Sequence, residues 1–335
     1  MKPLLDIKHL AVDFDTHAGV VQAVDDISFQ VFPGEIVGLV GESGCGKSVT
    51  AQAVMRLVNT PPGRYKQGKI LFQGADLLGT AENDMEKIRG NDISMIFQDP
   101  MTALNPVLTV GLQIAESLQR HQQMNKADAY AKAVELLRLV GIPAPEQRIR
   151  EYPHQFSGGM RQRVVIAIAL ACSPKLLLAD EPTTALDVTI QAQILELMRD
   201  LQKNRNMAII FISHDLGAIA ALCSRVIVMY AGKIVEQGTA ADIFHNPQHP
   251  YTWGLLQSVP RLDAVQKQKL AVIDGQPPDL LQRPAGCPFH PRCHRAMMIC
   301  ARQYPDVTEL SSSHYVNCWL QHRDAPRQEV TTSGR

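Results

Sequence analysis

Runs of apolar residues along the first 245 positions predict a sheet whose central strands are buried on both faces. The segments Glu35–Val40, Lys175–Asp180 and Ala208–Ser213 are almost continuously apolar, which is typical of parallel strands covered by helices on both sides. Helical periodicity follows the first of these strands from Lys47 onwards, and it occupies Ile190–Lys203 between the other two. This alternation of strands and helices predicts an α/β fold with a largely parallel sheet.

Other patterns lie around this core. The N-terminal segments Leu4–Leu10 and Ala23–Val31 are β-rich and predict an antiparallel β part. Residues 111–140 have mostly helical periodicity. Towards the end of the core, Arg225–Tyr230 and Ile234–Gln237 flank a short glycine-containing turn and predict a hairpin.

The composition of the sequence changes after about residue 245, where Pro, His and Cys become common and regular hydrophobic periodicity is lost. We therefore place a boundary near residues 245–260. The pattern predicts a main domain over residues 1–245, a small cysteine-containing extension over residues 246–325, and a disordered tail over residues 326–335.

Composition narrows the class of protein. The chain has 335 residues and is 45% hydrophobic, which is enough for a substantial core in one large domain, with or without a smaller one. Lys and Arg together number 33, as do Asp and Glu, so the net charge is close to zero. Nucleic-acid-binding domains usually carry a strong basic excess, so we expect no nucleic-acid partner.

The sequence contains no candidate membrane span. A span needs roughly 20 consecutive apolar residues, and the best run, Val164–Cys172, is far shorter. The segment Met1–Leu10 lacks the apolar core of a signal peptide. We expect the protein to be made and kept in the cytosol, so that any membrane role depends on partner chains.

A glycine-rich loop lies between the first buried strand and the helix that follows it. The loop fits the motif G-x-x-x-x-G-K-[ST] and consists of Gly41, Glu42, Ser43, Gly44, Cys45, Gly46, Lys47 and Ser48. Its backbone N–H groups, and those of the helix that continues at Val49, can surround a phosphate. A chance glycine-rich turn is the alternative. The flanking strand and helix favour an ATP-binding loop in which Lys47 reaches the β- and γ-phosphates and Ser48 binds Mg²⁺.

Polar residues follow the other two buried strands at the same edge of the sheet. Asp180 ends one strand and is the Mg²⁺-side acid expected of such an ATPase, while Glu181 is a candidate general base for the attacking water. Many buried strands end in a solvated acid, so this pair becomes strong evidence only together with the phosphate loop. His214 follows the third strand and would contact the γ-phosphate there; an ordinary surface histidine is the alternative.

The segment Phe156–Arg163 (FSGGMRQR) resembles the signature motif of the ATPase subunits of ABC transporters, usually written LSGGQ. It departs from that motif at Phe156 and Met160. The core of the motif is intact and comprises Ser157, Gly158 and Gly159. Ser157 precedes a helix, so its hydroxyl, the free backbone N–H groups and the helix dipole can hold an anion. A simple helix cap is the alternative, and the position of the motif between the phosphate loop and Asp180 decides against it.

Further residues match this family in order along the chain. Gln98 looks like the Q-loop residue, which couples the nucleotide to the membrane partner and joins Ser48 and Asp180 in holding Mg²⁺. The segment 185–187 resembles the D-loop, and His214 fits the switch histidine. Phe14 is similar in position to the aromatic residue that stacks on adenine, although Phe14 could equally belong to the core. The resemblance covers residues 4–245 and implies a P-loop NTPase core with a helical subdomain, at about residues 100–172, that carries the signature motif.

The resemblance also implies a mechanism. Two such domains close head to tail, so that each ATP lies between the phosphate loop of one chain and the signature motif of the other. Hydrolysis by a Glu181-activated water then lets the dimer reopen, which is a ligand-driven shift between two states.

The C-terminal part resembles one branch of the family, the dipeptide and oligopeptide importers. The similarity lies in three segments: His249–Thr252, Gly275–Pro278 and Gly286–Cys293. Members of that branch also move nickel, glutathione or related solutes. The resemblance implies ATP-driven peptide import from the cytoplasmic face of the inner membrane. It also implies a second, non-identical ATPase, two membrane permease subunits and an extracytoplasmic solute-binding protein.

Four cysteines of the extension are spaced C-x5-C-x6-C-x17-C: Cys287, Cys293, Cys300 and Cys318. Such a group in a cytosolic protein suggests a metal before disulfides, and four thiolates can hold a [4Fe–4S] cluster or Zn²⁺. The spacing lacks the C-x2-C pairs of a strong zinc motif, and the family resemblance favours the iron–sulfur cluster. Reduced thiols without a metal are the third alternative.

Two other classes of function compete with transport. A soluble ABC protein that acts on DNA or the ribosome tends to carry two cassettes or a long coiled coil, whereas this chain has one cassette and no heptad run. A regulatory protein that binds ATP without turnover would lack a catalytic residue. All of the residues that turnover requires are present: Lys47, Ser48, Asp180, Glu181 and His214.

Overall fold

A computed structural model describes residues 2–184, 187–258 and 273–326 of the chain. The described strands are β1 (Leu5–Thr16), β2 (Gly19–Val31), β3 (Ile36–Val40), β4 (Gly63–Phe72), β5 (Ala75–Asp76), β6 (Ile93–Ile96), β7 (Leu176–Asp180), β8 (Ala208–Ile212), β9 (Arg225–Tyr230), β10 (Lys233–Thr239), β11 (Thr308–Ser311) and β12 (His314–Val316). The α-helices are α1 (Lys47–Val54), α2 (Glu82–Ile88), α3 (Pro100–Ala103), α4 (Val110–Gln122), α5 (Lys126–Leu139), α6 (Pro145–Arg148), α7 (Gly158–Leu170), α8 (Val188–Arg205), α9 (Leu216–Leu222), α10 (Ala240–His245), α11 (Pro250–Gln257) and α12 (Met298–Arg302).

The main sheet has the order β11-β12-β10-β9-β3-β8-β7-β6. Its strands β9, β3, β8, β7 and β6 are parallel to one another, whereas β10, β12 and β11 add antiparallel pairs beyond β9 at one edge. The expected α/β fold with a largely parallel sheet is therefore confirmed. The three strands predicted from continuous apolar runs, β3, β7 and β8, lie side by side in its middle.

Alternating side chains of these central strands enter two different cores. In β7, Leu177 and Ala179 belong to one hydrophobic cluster, while Leu176 and Leu178 belong to the other, and all four are fully buried. The first cluster contains the apolar side chains of α4, α5, α7, α8 and α9, and the second contains those of α1 and the N-terminal strands. Coverage on both faces explains why the central strands lack polar positions.

The N-terminal strands form a separate antiparallel sheet with the order β2-β1-β4-β5. The antiparallel β part was expected, but β1 continues past Leu10 to Thr16. The polar Asp13 hides this continuation in the sequence, because its buried carboxylate accepts a hydrogen bond from Arg64 on β4 at 3.3 Å. Strand β4 itself was not predicted, since its sequence GRYKQGKILF is polar at most positions.

Helices α3 to α7 lie between β6 and β7 in the chain, within residues 100–170. Thr109 and Asn125 cap α4 and α5 by accepting hydrogen bonds from backbone N–H groups of the first turn. Helix α7 is apolar around most of its circumference and is accordingly buried among the others. Among the residues described, no helix is long and apolar enough to cross a membrane.

The extension continues the main sheet. Strand β12 pairs with β10, with Val316 opposite Glu236, and buried residues of the extension such as Tyr251 and Phe289 belong to the same cluster as α7 and β8. The change in composition near residue 245 thus marks no break in the hydrophobic core. Residues 327–335 of the expected disordered tail lie outside the described part of the chain.

One buried carboxylate joins the two parts. Glu236 on β10 is fully buried and accepts hydrogen bonds from the backbone N–H groups of Gln248 and His249, at 2.7 and 3.0 Å. The ring Nε2 of His314 on β12 lies 2.8 Å from the same side chain. These contacts fix the start of α11 and the strand β12 against β10.

Candidate nucleotide-binding and hydrolysis site

The phosphate loop connects β3 to α1, as expected. Gly41, Gly44 and Gly46 have φ values of 150°, 79° and 100°, which L-residues rarely adopt. A Cβ atom at Gly41 would also collide with the carbonyl oxygen of Met229, and one at Gly46 with that of Ala23. Glycine is thus required by both backbone conformation and close packing at these two positions. Val49 follows in the first turn of α1 and packs against the second hydrophobic cluster.

The side chain of Lys47 lies inside this loop. Its ammonium donates hydrogen bonds to the carbonyl oxygens of Gly41 and Glu42, at 2.8 and 2.9 Å, and only 6% of the residue is exposed. The Sγ atom of Cys45 lies 3.7 Å away, and burial raises the pKa of the Cys45 thiol. Backbone carbonyl groups of the loop therefore surround the positive charge of Lys47. The ammonium can exchange these contacts for contacts to phosphate oxygens.

Ser48 and Asp180 meet although they are far apart in the sequence. Asp180 ends β7, which lies two strands from β3 in the sheet, and the Ser48 hydroxyl donates to its Oδ1 at 3.1 Å. Burial raises the pKa of Asp180, the charge of Glu181 raises it further, and the Ser48 hydrogen bond opposes both. A hydroxyl and a buried carboxylate facing each other form a donor set that suits Mg²⁺.

Three side chains converge on the carboxylate of Glu181. Its Oε2 lies 3.2 Å from Gln98 Nε2, 3.2 Å from His214 Nδ1, and 2.9 Å from the hydroxyl of Thr184. Glu181 has a left-handed φ of 48°, and its backbone N–H donates to the carbonyl of Ile212 on β8 at 2.9 Å. This turn directs the carboxylate towards the sequence-predicted Gln98 and His214.

Thr184 is a site residue that the sequence interpretation missed. Its backbone N–H donates to the Glu181 carbonyl at 3.1 Å, so both residues belong to one tight turn after β7. The signal available in the sequence is the run Glu181–Thr184 (EPTT), in which the proline favours a turn and the hydroxyl residues favour local hydrogen bonds.

The signature segment begins α7. Ser157 caps this helix by accepting a hydrogen bond from the backbone N–H of Met160 at 3.4 Å. Ser157 and Gly158 are exposed, Gly159 is half-buried, and the unusual Phe156 is a buried core residue. The replacement of leucine by Phe156 is thus a packing difference, and the exposed Ser-Gly start of the helix is unaffected by it.

Phe14 and the D-loop segment 185–187 are the remaining parts of the predicted site. Phe14 on β1 is half-buried and packs against the second hydrophobic cluster, next to Gly63. Ala185 and Leu186 of the expected D-loop lie outside the described residues. The third residue, Asp187, caps α8 by accepting a hydrogen bond from the backbone N–H of Ile190 at 2.9 Å.

The extension reaches the phosphate loop. The phenol oxygen of Tyr251 accepts a hydrogen bond from the Glu42 backbone N–H at 2.8 Å, and Arg292 donates to both carboxylate oxygens of Glu42, at 2.6 and 2.9 Å. The hydrogen bonds to Glu42 raise the pKa of Arg292 further above its usual range. Sequence patterns gave no indication of these contacts, because the partners are separated by more than 200 residues.

The four cysteines of the extension line one narrow cavity, together with His249, His290 and Phe289. Burial raises the pKa of Cys287 and of Cys318 to about 12. In the described parts of the chain, no three Cys, His, Asp or Glu side chains are arranged to hold one metal ion. Neither the iron–sulfur interpretation nor the Zn²⁺ interpretation therefore gains support from this geometry.

Comparison with known proteins agrees with this geometry. Residues 24–184 match the family model of the ABC transporter, and residues 235–300 match that of the oligopeptide/dipeptide transporter C-terminal region. The oligopeptide transport ATP-binding protein OppD and the dipeptide transport ATP-binding protein DppD, both of Bacillus subtilis (strain 168), are each 56% identical to this chain. The alignments cover 97% of this chain, 91% of OppD and 97% of DppD. A solved dimeric ATP-binding cassette, in a post-hydrolysis state with ADP and Pi, has a TM-score of 0.65 at 25% identity and covers 70% of this chain and 98% of that one.

The phosphate loop, the Ser48–Asp180 contact and the side chains around Glu181 define a P-loop ATPase that uses Mg²⁺ and ATP. The chain belongs to the family of ABC transporter ATP-binding proteins, in its oligopeptide and dipeptide branch. The resemblance on which the sequence interpretation rested is confirmed by these comparisons.

Proposed function

We propose that this chain hydrolyses ATP to drive the import of dipeptides or oligopeptides through membrane subunits. The observation that carries the proposal is the combination of a complete hydrolysis site with an extension that matches the peptide-transporter C-terminal region. The relatives OppD and DppD are named for the transport of oligopeptides and dipeptides and align over nearly the whole chain.

Within the site, each residue has a distinct task. The loop from Gly41 to Val49 binds the phosphates through its backbone N–H groups, and Lys47 releases the loop carbonyls to meet the β- and γ-phosphates. Ser48, Asp180 and Gln98 would hold Mg²⁺, which would supply positive charge to the phosphate oxygens. Phe14 stacks on adenine from the end of β1.

Glu181 acts as the general base. Its carboxylate takes the proton of the attacking water, while Gln98 and Thr184 keep the carboxylate oriented through their hydrogen bonds. His214, which contacts the same oxygen, senses the γ-phosphate after the side chains rearrange around the nucleotide. The common contact of these groups with one oxygen places them for a concerted response to phosphate loss.

The exposed start of α7 is the surface for a second ATPase subunit. Ser157, Gly158 and Gly159 present a hydroxyl, backbone N–H groups and a helix N-terminus, which together suit the γ-phosphate bound by another chain. We propose a head-to-tail pair with a homologous, non-identical ATPase. Two permease subunits and an extracytoplasmic solute-binding protein complete the transporter, and the chain sits peripherally on the cytoplasmic face of the inner membrane.

For the extension, we propose that Cys287, Cys293, Cys300 and Cys318 hold a [4Fe–4S] cluster. Four soft thiol ligands around one cavity suit such a cluster. A single Zn²⁺ ion would need all four sulfur atoms at ~2.3 Å from one point. The test is the content of iron, zinc and acid-labile sulfide per chain after anaerobic purification, compared with a Cys293→Ala variant. Zinc in place of iron, or no metal, would remove this part of the proposal.

The hydrolysis site is tested with Glu181→Gln in the purified transporter complex. We expect steady-state ATP turnover to fall by at least about a hundredfold, the scale on which a general base contributes, while ATP remains bound. Glu196→Gln, at an exposed position on α8, is the matched control and should keep wild-type turnover. Wild-type turnover in the Glu181 variant would show that another group is the base or that the partner's site performs hydrolysis.

A further inference from the structure

The second residue of the phosphate loop is held from three sides. The Glu42 backbone N–H donates to Tyr251, its carbonyl accepts from Lys47, and its carboxylate accepts two hydrogen bonds from Arg292. The loop itself supplies the Lys47 contact and a hydrogen bond from the Cys45 backbone N–H to the Glu42 carbonyl at 3.3 Å. When Lys47 moves to the phosphates of ATP, Glu42 keeps the two contacts that the extension supplies.

Arg292 is itself rigidly placed. Its side chain is 5% exposed, and its remaining donors bond to the carbonyl oxygens of Asp274 and Ile273 and to the Tyr230 hydroxyl, at 3.0, 3.2 and 3.2 Å. The guanidinium lies 6.0 Å from the centre of the Phe289 ring. A planar, bidentate Arg–carboxylate pair combines a fixed geometry with a charge-assisted hydrogen bond, and few side chains can replace it.

The aromatic neighbours complete this support. The rings of Tyr230 on β9, Tyr251 on α11 and Phe289 pack against one another with centroids 4.6 to 5.3 Å apart. Tyr251 is fully buried in this group, so its hydroxyl has a fixed position under the Glu42 N–H. The phosphate loop therefore rests on a rigid surface made largely by the extension.

The charges of Glu42 and Arg292 also affect how the loop interacts with ATP. A carboxylate at the second position of a phosphate loop would repel the triphosphate of ATP, and Arg292 neutralises it at hydrogen-bond distance.

We propose that Arg292 is a positioning residue of the ATP site, which fixes the phosphate loop through Glu42 and so makes ATP affinity depend on the extension. The proposal deepens the ATPase function proposed above and relies on the phosphate loop as the nucleotide site. It assigns the extension a direct part in nucleotide binding within the same chain.

The test is MgATP affinity of the full chain for Arg292→Gln, Glu42→Gln and the double variant. We expect Arg292→Gln to weaken MgATP binding by about 10- to 100-fold, the scale set by the loss of one hydrogen-bonded charged contact. The loss in the double variant should be smaller than the product of the two single losses, because removal of Glu42 also removes the unpaired negative charge. Arg292→Lys, which keeps the charge but not the bidentate geometry, should recover part of the affinity.

Two further measurements separate positioning from general destabilisation. In the assembled transporter, Arg292→Gln should raise the KM for ATP while kcat at saturating ATP changes less than about twofold, because Arg292 does not contact the reacting atoms. Arg302→Gln, an exposed arginine at the end of α12, should bind MgATP as the wild type does. If Arg292→Gln fails to fold, Arg292→Lys carries the test alone and should weaken binding, because it keeps the charge but loses the bidentate geometry.

Unchanged MgATP affinity in folded Arg292→Gln or Arg292→Lys, or independent effects of the two substitutions in the double variant, would overturn the proposal. Lys47→Ala tests the underlying assignment separately. Retention of MgATP binding in that variant would mean that the phosphate loop is not the nucleotide site, whereas its loss together with an unaffected Arg292 variant would refute only the role of Arg292.

Discussion

Replacement of Glu236 should weaken the attachment of the extension by an amount that depends on the substituting residue. The buried carboxylate accepts hydrogen bonds from the backbone N–H groups of Gln248 and His249 and contacts the ring of His314. Glu236→Ala leaves all three groups without this partner. A buried donor that loses its acceptor costs about 1–3 kcal/mol, and breaking a buried charged contact costs about 3–5 kcal/mol. We therefore expect the alanine variant to lose about 4 kcal/mol of unfolding free energy.

Glu236→Gln should cost less, for a geometric reason. Oε1 of Glu236 contacts the backbone N–H of Gln248 and the ring Nε2 of His314, and Oε2 accepts a hydrogen bond from the backbone N–H of His249. A glutamine oxygen at the first position keeps those two contacts, while its NH₂ group faces the His249 N–H at the second. One lost hydrogen bond corresponds to about 1–2 kcal/mol.

The assay is urea unfolding of the full chain, without nucleotide, for the wild type and both variants. Glu309→Ala, at an exposed position on β11, is the matched control and should stay within about 0.5 kcal/mol of the wild type. The expected order of stability is wild type, then glutamine, then alanine. An alanine variant within about 1 kcal/mol of the wild type, below the cost of a single unsatisfied buried charge contact, would refute the view that Glu236 holds the extension.

Other predictions concern the active site and the core. Asp180→Asn should raise the Mg²⁺ concentration needed for half-maximal ATP turnover by at least about tenfold, because it removes a charged oxygen ligand; an unchanged Mg²⁺ dependence in steady-state assays would contradict the assignment. Burial raises the pKa of Cys223 to about 12. Its thiol should therefore react with iodoacetamide at pH 8.5 much more slowly in the folded chain than in urea, as read by peptide mass spectrometry, and equal rates would show that the site is not closed.

The sequence was sufficient for those parts of the site that depend on one segment. The phosphate loop follows a buried strand and opens a helix, and the acids end a neighbouring strand, so local pattern and sheet topology together bring Ser48 to Asp180. Gln98 required the family resemblance, because a single Gln after a strand has many uses, whereas the position of His214 after a buried parallel strand already indicated a contact with the γ-phosphate. Thr184 was missed because the run Glu181–Thr184 signals a turn, but not the left-handed conformation of Glu181 that brings the Thr184 hydroxyl to the Glu181 carboxylate.

Strands β4, β11 and β12 were missed for a different reason. Strand β4 lies between β1 and β5, and β12 lies between β10 and β11, but most positions of these strands and of the edge strand β11 are polar or exposed. The alternation of apolar residues is therefore weak in all three. The buried part of β12 faces Glu236, so its inward position carries the polar His314. A pattern built on hydrophobic residues cannot detect a strand whose buried contact is a polar hydrogen bond.

Buried contacts between polar and charged side chains also explain why the extension looks like a separate domain in the sequence but joins the ATPase core. Its attachment uses acidic residues of the ATPase part with basic residues of the extension: Asp25 with Arg283, Glu42 with Arg292, and Glu236 with His314. Each pair is partly or fully buried, so a lost partner leaves a desolvated charge or donor and the penalty is large. Such pairs demand one relative position of the two parts, whereas an apolar contact would tolerate sliding. The extension is therefore held in one register against the phosphate loop, which is the condition for Arg292 to act on nucleotide binding.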